Sequence, residues 1–193
     1  KRYIGKGSSN LPRNRNLLAA QALKDGADVL FWIDCDIAFD PADVFKLAES
    51  DKDVIAALPQ ARTHQYGEAP RIAGVVAQKP AQDGLHEAHA LPTAFMATKA
   101  SVYRKLIEAG QAKAYICPAQ PELEIHNWFF YELREEGGVM VDDAEDYYFC
   151  RKWREIGGQC WANPAVRLHH YEGLVRHSLC LADVLEARNG HEG

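Results

Sequence analysis

"ADVLFWIDCDIAFDP", residues 27–41, is the stretch on which the reading of this chain turns. An apolar run from Val29 to Ile33 passes without a break into Asp34, and a second carboxylate follows at Asp36. Such a run predicts a strand covered on both faces, as in the interior of a parallel sheet. The acids then stand beyond its carboxyl end, where open α/β sheets bind ligands. In an extended segment residues two apart face the same side, so Asp34 and Asp36 can both face one ligand. Two carboxylates that close repel, and a cation between them and the ligand relieves the repulsion. The plainer alternative is a turn whose acids cap the next helix or meet solvent.

The flanking segments extend the pattern. "LPRNRNLLAAQALKDG" (11–26) predicts a helix that Gly26 ends, because glycine adopts positive φ without strain. Pro41 opens a second helix in "PADVFKLAES", with Asp40 as its N-cap. "DVIAAL" (53–58) predicts a second buried strand. Helix, strand, helix, strand points to a layered α/β sheet. From Pro59 to Pro92 the pattern weakens to a long loop holding a hairpin or edge strands. "AFMATKASVYRKLIEAG" (94–110) reads as a strand to about Thr98 and then a helix closed by Gly110. "IHNWFFYEL" (125–133) reads as a strand. "DDAEDYYFCRKWREIGG" (142–158) reads as a helix, with Phe149, Trp153 and Ile156 on one stripe and Asp142 and Glu145 spaced as a capping box. "QCWA" and "AVRLHHY" read as short strands, and the tail from Leu179 as a terminal helix.

The 193 residues fit one domain, and 47% hydrophobic with 25% charged residues is globular composition. A net charge of −5 with no basic stripe argues against a nucleic-acid surface. No apolar run approaches a membrane span, so no transmembrane segment is expected, and the start of the chain lacks the apolar core of a signal peptide. Five scattered cysteines without C-x-x-C spacing read as reduced thiols, and the expected location is cytoplasmic, including the periphery of a membrane.

Three further clusters bear on chemistry. Asp142, Asp143, Glu145 and Asp146 crowd the start of a helix. The macrodipole favours acids there, and crowding raises carboxylate pKa values in a way that suits a general base. His169 and His170 end a strand-like segment, so one can face a given side; two carboxylates and an imidazole suit Mn²⁺, or Mg²⁺. Arg13 and Arg15 flank a helix start, where arginine can clamp phosphate or simply meet solvent.

In order along most of the chain, these pieces resemble the GT-A-type nucleotide-sugar glycosyltransferases. "LPRNRNLLAAQAL", "VLFWIDCDIAFDP", "DKDVIAALPQAR" and "LPTAFMATKASVYRKL" are similar to successive segments of that family. "AEDYYFCRKWREIGGQCWANPAVRLHHYEG" is similar to its E-D…F-C-R…G-G…W…N-P…His block, the most specific of these matches. The resemblance implies a GT-A-like (Rossmann-like) α/β fold with a mixed, mostly parallel sheet and helices on both faces, as a single catalytic domain over residues 1–193. It implies transfer of a sugar from a nucleotide-diphosphate donor to a glycan, lipid or protein hydroxyl, with Mn²⁺ or Mg²⁺. Asp34 would contact the ribose or the metal, and Asp36 would ligate the metal. His170 matches the family's terminal metal-binding His better than His169, which stands where that pattern has Gly. Asp146 matches the base of inverting members, and Glu145 would orient donor or acceptor. Arg15 and Asn16 would lie near the nucleotide with Arg13, and Trp128 is a candidate stacking platform for the acceptor sugar.

Three departures accompany the resemblance. Ala94 stands where the family has Gly, and "HHYEG" carries an insertion. The family's opening strand and Pro-containing turn have no counterpart, so the expected reading is a chain lacking that first strand. Two rival readings remain beside it: a haloacid-dehalogenase-type phosphohydrolase, which also places D-x-D after an apolar strand, and a module that binds sugar nucleotide without turning it over.

Overall fold

A computed structural model describes residues 1–4, 10–61, 71–118, 120–172 and 175–189. In chain order the elements are α1 (Leu11–Lys24), β1 (Val29–Ile33), β2 (Ile37–Ala38), α2 (Pro41–Ala48), β3 (Val54–Ala56), β4 (Val75–Val76), β5 (His86–Ala90), β6 (Phe95–Lys99) and α3 (Ala100–Glu108). There follow β7 (Ala114–Tyr115), β8 (Ile125–His126), β9 (Glu132–Glu136), β10 (Val139–Asp143), α4 (Glu145–Glu155), β11 (Cys160–Ala162), β12 (His169–Glu172), β13 (Val175–His177) and α5 (Leu181–Asn189). They fall into two compact units, one of Lys1–Leu30 with Lys99–Gly158, the other of Phe31–Thr98 with Gln159–Gly193.

The first unit begins with α1. The Asn10 side chain caps it by accepting from the Arg13 amide at 3.0 Å, a proline occupies its first turn, and Gly26 follows it at φ 75°. Its buried face is Pro12, Arg15, Asn16, Ala19, Ala20 and Ala22, while its leucines stand at the margin. Arg15 and Asn16 turn inward because each has a polar partner there. An aromatic cluster forms the core. Phe129 stacks on Phe149 at 4.8 Å, and Tyr103 meets Trp128 edge-on at 5.5 Å.

β9 and β10 pair as a hairpin whose two-residue turn, Gly137–Gly138, has φ 59° and 83°. Both angles are the left-handed kind that tight hairpin turns demand and that glycine takes freely. Arg151 of α4 bonds Asp143 of β10 at 2.6 Å and also reaches Glu132 of β9, which pins the helix to the hairpin. α4 itself starts at Glu145 with Ala144 at the N-cap and no side-chain cap bond. The expected capping box is therefore absent. Asp142 sits in β10 opposite Leu133, inside a strand and off the helix end.

The second unit carries a six-stranded sheet in the order β1-β6-β3-β11-β5-β4. β3 and β11 run parallel, with Val54, Ile55 and Ala56 opposite Cys160, Trp161 and Ala162. β3–β6, β11–β5 and β5–β4 are antiparallel. Backbone bonds Asp34 N to Ala94 O and Ala100 N to Asp28 O, 3.0 and 2.8 Å, run in opposite senses and make β1–β6 antiparallel too. A second sheet, β13-β12-β2, is antiparallel throughout. Asp40 caps α2 by accepting from Ala42 N at 2.9 Å.

The expected mostly parallel, Rossmann-like sheet with helices on both faces is corrected by this pairing. The fold is mixed α/β with antiparallel-rich sheets and, among the described residues, five helices. The β1–α2–β3 alternation that suggested neighbouring parallel strands is real, but β6 lies between β1 and β3. The apolar run of β1 also has a different cause. β1 is outermost in that sheet, and Leu30 and Trp32 are buried while Ile33 is 42% exposed.

Candidate functional site

The D-x-D residues lie between β1 and β2. Asp34 is held to the sheet by its amide bond to Ala94 O, and Ile37 N closes a turn onto Asp34 O at 3.3 Å. The backbone at Cys35 and Asp36 is thus a turn, and the extended geometry expected to aim both carboxylates one way does not occur. Asp34 and Asp36 are half-buried, and Cys35 between them is exposed.

The same turn is joined to the histidine strand. β2 pairs with β12, setting His170 opposite Ile37 and His169 opposite Ala38, and Tyr171 N bonds Asp36 O at 2.9 Å. This register brings His170 Nε2 to 3.7 Å from Asp36 Oδ2. His170 Nδ1 lies 2.8 Å from the backbone oxygen of Gln60. A carbonyl only accepts, so Nδ1 carries the proton and, in the neutral ring, the lone pair of Nε2 faces Asp36. His169, next along the strand, points to the opposite side and has a buried Nδ1 without a hydrogen-bond partner among the described residues.

Gln60 also fixes a third imidazole. Leu179 N donates to Gln60 Oε1 at 3.2 Å, which turns Gln60 Nε2 toward His177 Nδ1 at 3.4 Å. His177 Nδ1 must then accept, and its proton sits on Nε2, 3.7 Å from Glu172 Oε2. Thus His170 and His177, directly opposite across β12 and β13, hold opposite tautomers. Sequence reasoning missed Gln60 and His177; the amide and imidazole are common surface residues, and only the strand register gives them meaning.

The donor set can be tested against a divalent ion. Among the described residues no group of three or more His, Cys, Asp or Glu is arranged to hold a metal. Asp36 with His170 nevertheless makes a carboxylate–imidazole pair in which the imidazole's other nitrogen is anchored to a carbonyl, the usual support of a metal-bound histidine. Mn²⁺ or Mg²⁺ accepts few protein ligands when water and phosphate oxygens complete the shell. The pair fits such an ion; Asp34 and His169 are not gathered into it.

In the first unit, Glu145 and Asp146 open α4. Glu145 is 4% exposed and forms a buried ion pair with Arg15, 5% exposed. Burial and then the Glu145 carboxylate hold the Tyr131 phenol above its usual range. Asp146 is half-buried, and its Oδ1 accepts from Tyr147 N at 2.9 Å. The four acids do not form one crowded cluster. Asp143 is neutralised by Arg134 at 3.1 Å and by Arg151, Glu145 by Arg15, and Asp142 is exposed.

Arg13 and Asn16 line one cavity, and Arg15 does not reach it. The Asn16 amide is committed to the Phe129 backbone, donating to its oxygen and accepting from its nitrogen, both at 2.9 Å. Trp128 is 2% exposed, and its Nε1 donates to Tyr103 O at 3.1 Å. Its ring is enclosed in the core and has no face for an acceptor sugar. No described helix is long and apolar enough to cross a membrane.

No family model matches this chain. No curated protein matches it. Among solved structures it is similar to one described as "Crystal Structure of A197 from STIV", at 14% identity and a TM-score of 0.49, over 91% of this chain and 74% of that one.

Proposed function

We propose that this chain is a metal-dependent glycosyltransferase that moves a sugar from a nucleotide-diphosphate donor to an acceptor hydroxyl. The observation that carries the reading is the Asp36–His170 pair, 3.7 Å apart, with the imidazole lone pair turned to the carboxylate. It joins two motifs more than a hundred residues apart that the sequence resemblance had singled out separately. Five cysteines, none of them in a disulfide, fit a cytoplasmic location.

In this reading Asp36 and His170 hold Mn²⁺ or Mg²⁺, and Asp34 lies toward the ribose or the ion. The ion, when bound, supplies positive charge against that building on the departing diphosphate. Asp146 accepts the proton of the acceptor hydroxyl as its oxygen attacks the anomeric carbon, in an inverting transfer. Glu145 acts through position: its ion pair with Arg15 fixes the first turn of α4 and so the place of Asp146.

The experiment is calorimetric titration of UDP, GDP and CDP, each with and without Mn²⁺. One diphosphate is expected to bind tightly only with Mn²⁺, and Asp36→Asn to remove that dependence. Asp146→Asn is expected to keep donor binding and lose about 10²–10⁴-fold in transfer. No Mn²⁺-dependent binding of any of the three overturns the reading. Binding with neither transfer nor donor hydrolysis leaves a sugar-nucleotide-binding module, and phosphate release from a generic ester leaves a phosphohydrolase.

A further inference from the structure

The first unit contains a cavity of about 360 Å³ beside the start of α1, in the size range of small-ligand sites. Asn10, Arg13, Lys113, Tyr115, Asn127 and Phe130 line it. Its charge runs against that of the chain, which is net −5. Arg13 bonds Cys117 Sγ at 3.0 Å, and among the described residues neither Arg13 nor Lys113 has a carboxylate partner. The first turn of α1 contains no acid, so the positive end of its dipole adds to the same field. Asn127 Oδ1 already accepts from Lys113 N at 2.6 Å, which leaves its NH₂ as a donor. The Tyr115 phenol is pushed up by burial and bonded by Asn16, so it belongs to the wall. Phe130 is 49% exposed, an aromatic face at the mouth.

Donors and cations without acids select an anion. An aromatic face beside them selects a ring whose C–H edge can lie on it. The volume admits one sugar-sized ring. No carboxylate lines the space, so nothing there would hold a divalent ion beneath a diphosphate. We propose that this cavity binds a monosaccharide carrying a single anionic group, a phosphate ester or a carboxylate.

The test is a nuclear magnetic resonance titration of the nitrogen-15-labelled chain, without metal or nucleotide, using glucose 6-phosphate, glucuronate and glucose. At least one of the two anionic sugars is expected to shift the amide signals of Asn127 and Phe130 saturably, with a Kd at least about tenfold below that of glucose. Whichever binds identifies the anion. Arg13→Gln and Lys113→Gln, both on exposed side chains, are each expected to weaken that binding about tenfold with the rest of the spectrum unchanged. No saturable shift with either anionic sugar, equal binding of glucose, or unchanged affinity in both variants overturns the proposal. Because the titration contains neither metal nor nucleotide, its failure is separate from a failure of Mn²⁺-dependent diphosphate binding.

Discussion

The Nδ1–H of His170 is bonded to the backbone oxygen of Gln60 at 2.8 Å, while the Gln60 side-chain amide donates to Nδ1 of His177. One residue thereby sets two imidazoles in opposite tautomers. Long-range nitrogen–proton correlation on histidine-labelled protein, at a pH where the rings are neutral, is expected to show His170 protonated at Nδ1 and His177 at Nε2. Gln60→Glu keeps the acceptor for Leu179 N but replaces the donor to His177. His177 should then switch to the Nδ1–H form, and His170, which bonds the backbone, should not. A His170 signal protonated at Nε2 in the parent protein would remove the argument that its lone pair faces Asp36.

Arg15 and Glu145 neutralise one another at 5% and 4% exposure. Removing one partner strands a charge in the core, so Arg15→Met and Glu145→Gln are each expected to cost about 3–5 kcal/mol. The double variant Arg15→Met/Glu145→Gln should cost clearly less than the two single losses added. Urea denaturation of the four proteins measures the coupling, and simple additivity would mean that the pair does not organise this core.

Gly158 and Gly157 look interchangeable after α4, yet their surroundings differ. A Cβ on Gly158 would lie 2.0 Å from Cε2 of Trp153, whose ring is 3% exposed and has no room to withdraw. A Cβ on Gly157 would meet nothing, and only its φ of 86° resists substitution. Gly158→Ala is therefore expected to lose about 1–3 kcal/mol from overpacking. The expected order in urea midpoint is wild type, then Gly157→Ala, then Gly158→Ala. The reverse order of the two variants would show that backbone strain outweighs the contact.

Burial lowers the pKa of His126, 5% exposed, and the Glu124 carboxylate 3.7 Å away opposes the shift in part. The folded state therefore binds fewer protons at this ring than the unfolded chain. Stability from this group is intact above the unfolded value of about 6.5 and is lost as the pH falls through it toward the lower folded pKa. His126→Asn, which cannot titrate, should differ most from wild type near pH ~8 and least near pH ~5.5. A gap that widens on acidification would contradict the burial argument.

Local chemistry carried much of the fold into the sequence. Asp40 as a cap, Gly26 and Gly110 as stops and Pro41 as a helix opening are decided by neighbours within four residues, and each is found where expected. The single strand expected over 125–133 is instead two pieces, β8 at Ile125–His126 and β9 beginning at Glu132, with residues 127–131 between them outside any strand. The order of the sheet was not legible. Nothing local in "AFMATK" says that it enters between β1 and β3, because strand insertion depends on residues some sixty positions apart in the chain. The site divides the same way. Asp36 and His170 were named from motifs, and the register of β2 with β12 brings them together. Trp128 fails as a platform because an aromatic-rich stretch reads alike whether it faces a ligand or the core.

Four of the five thiols are buried, and Cys35 is exposed in the turn between Asp34 and Asp36. The chain thus carries an attachment point for a fluorophore, one residue from each acid, and needs no engineered cysteine. In the reading proposed above, a dye there would report a paramagnetic ion held by Asp36 through the loss of its emission. The intrinsic chemistry of the turn therefore supplies an optical readout of occupancy, and the reaction rate of that thiol tells whether a bound molecule covers it.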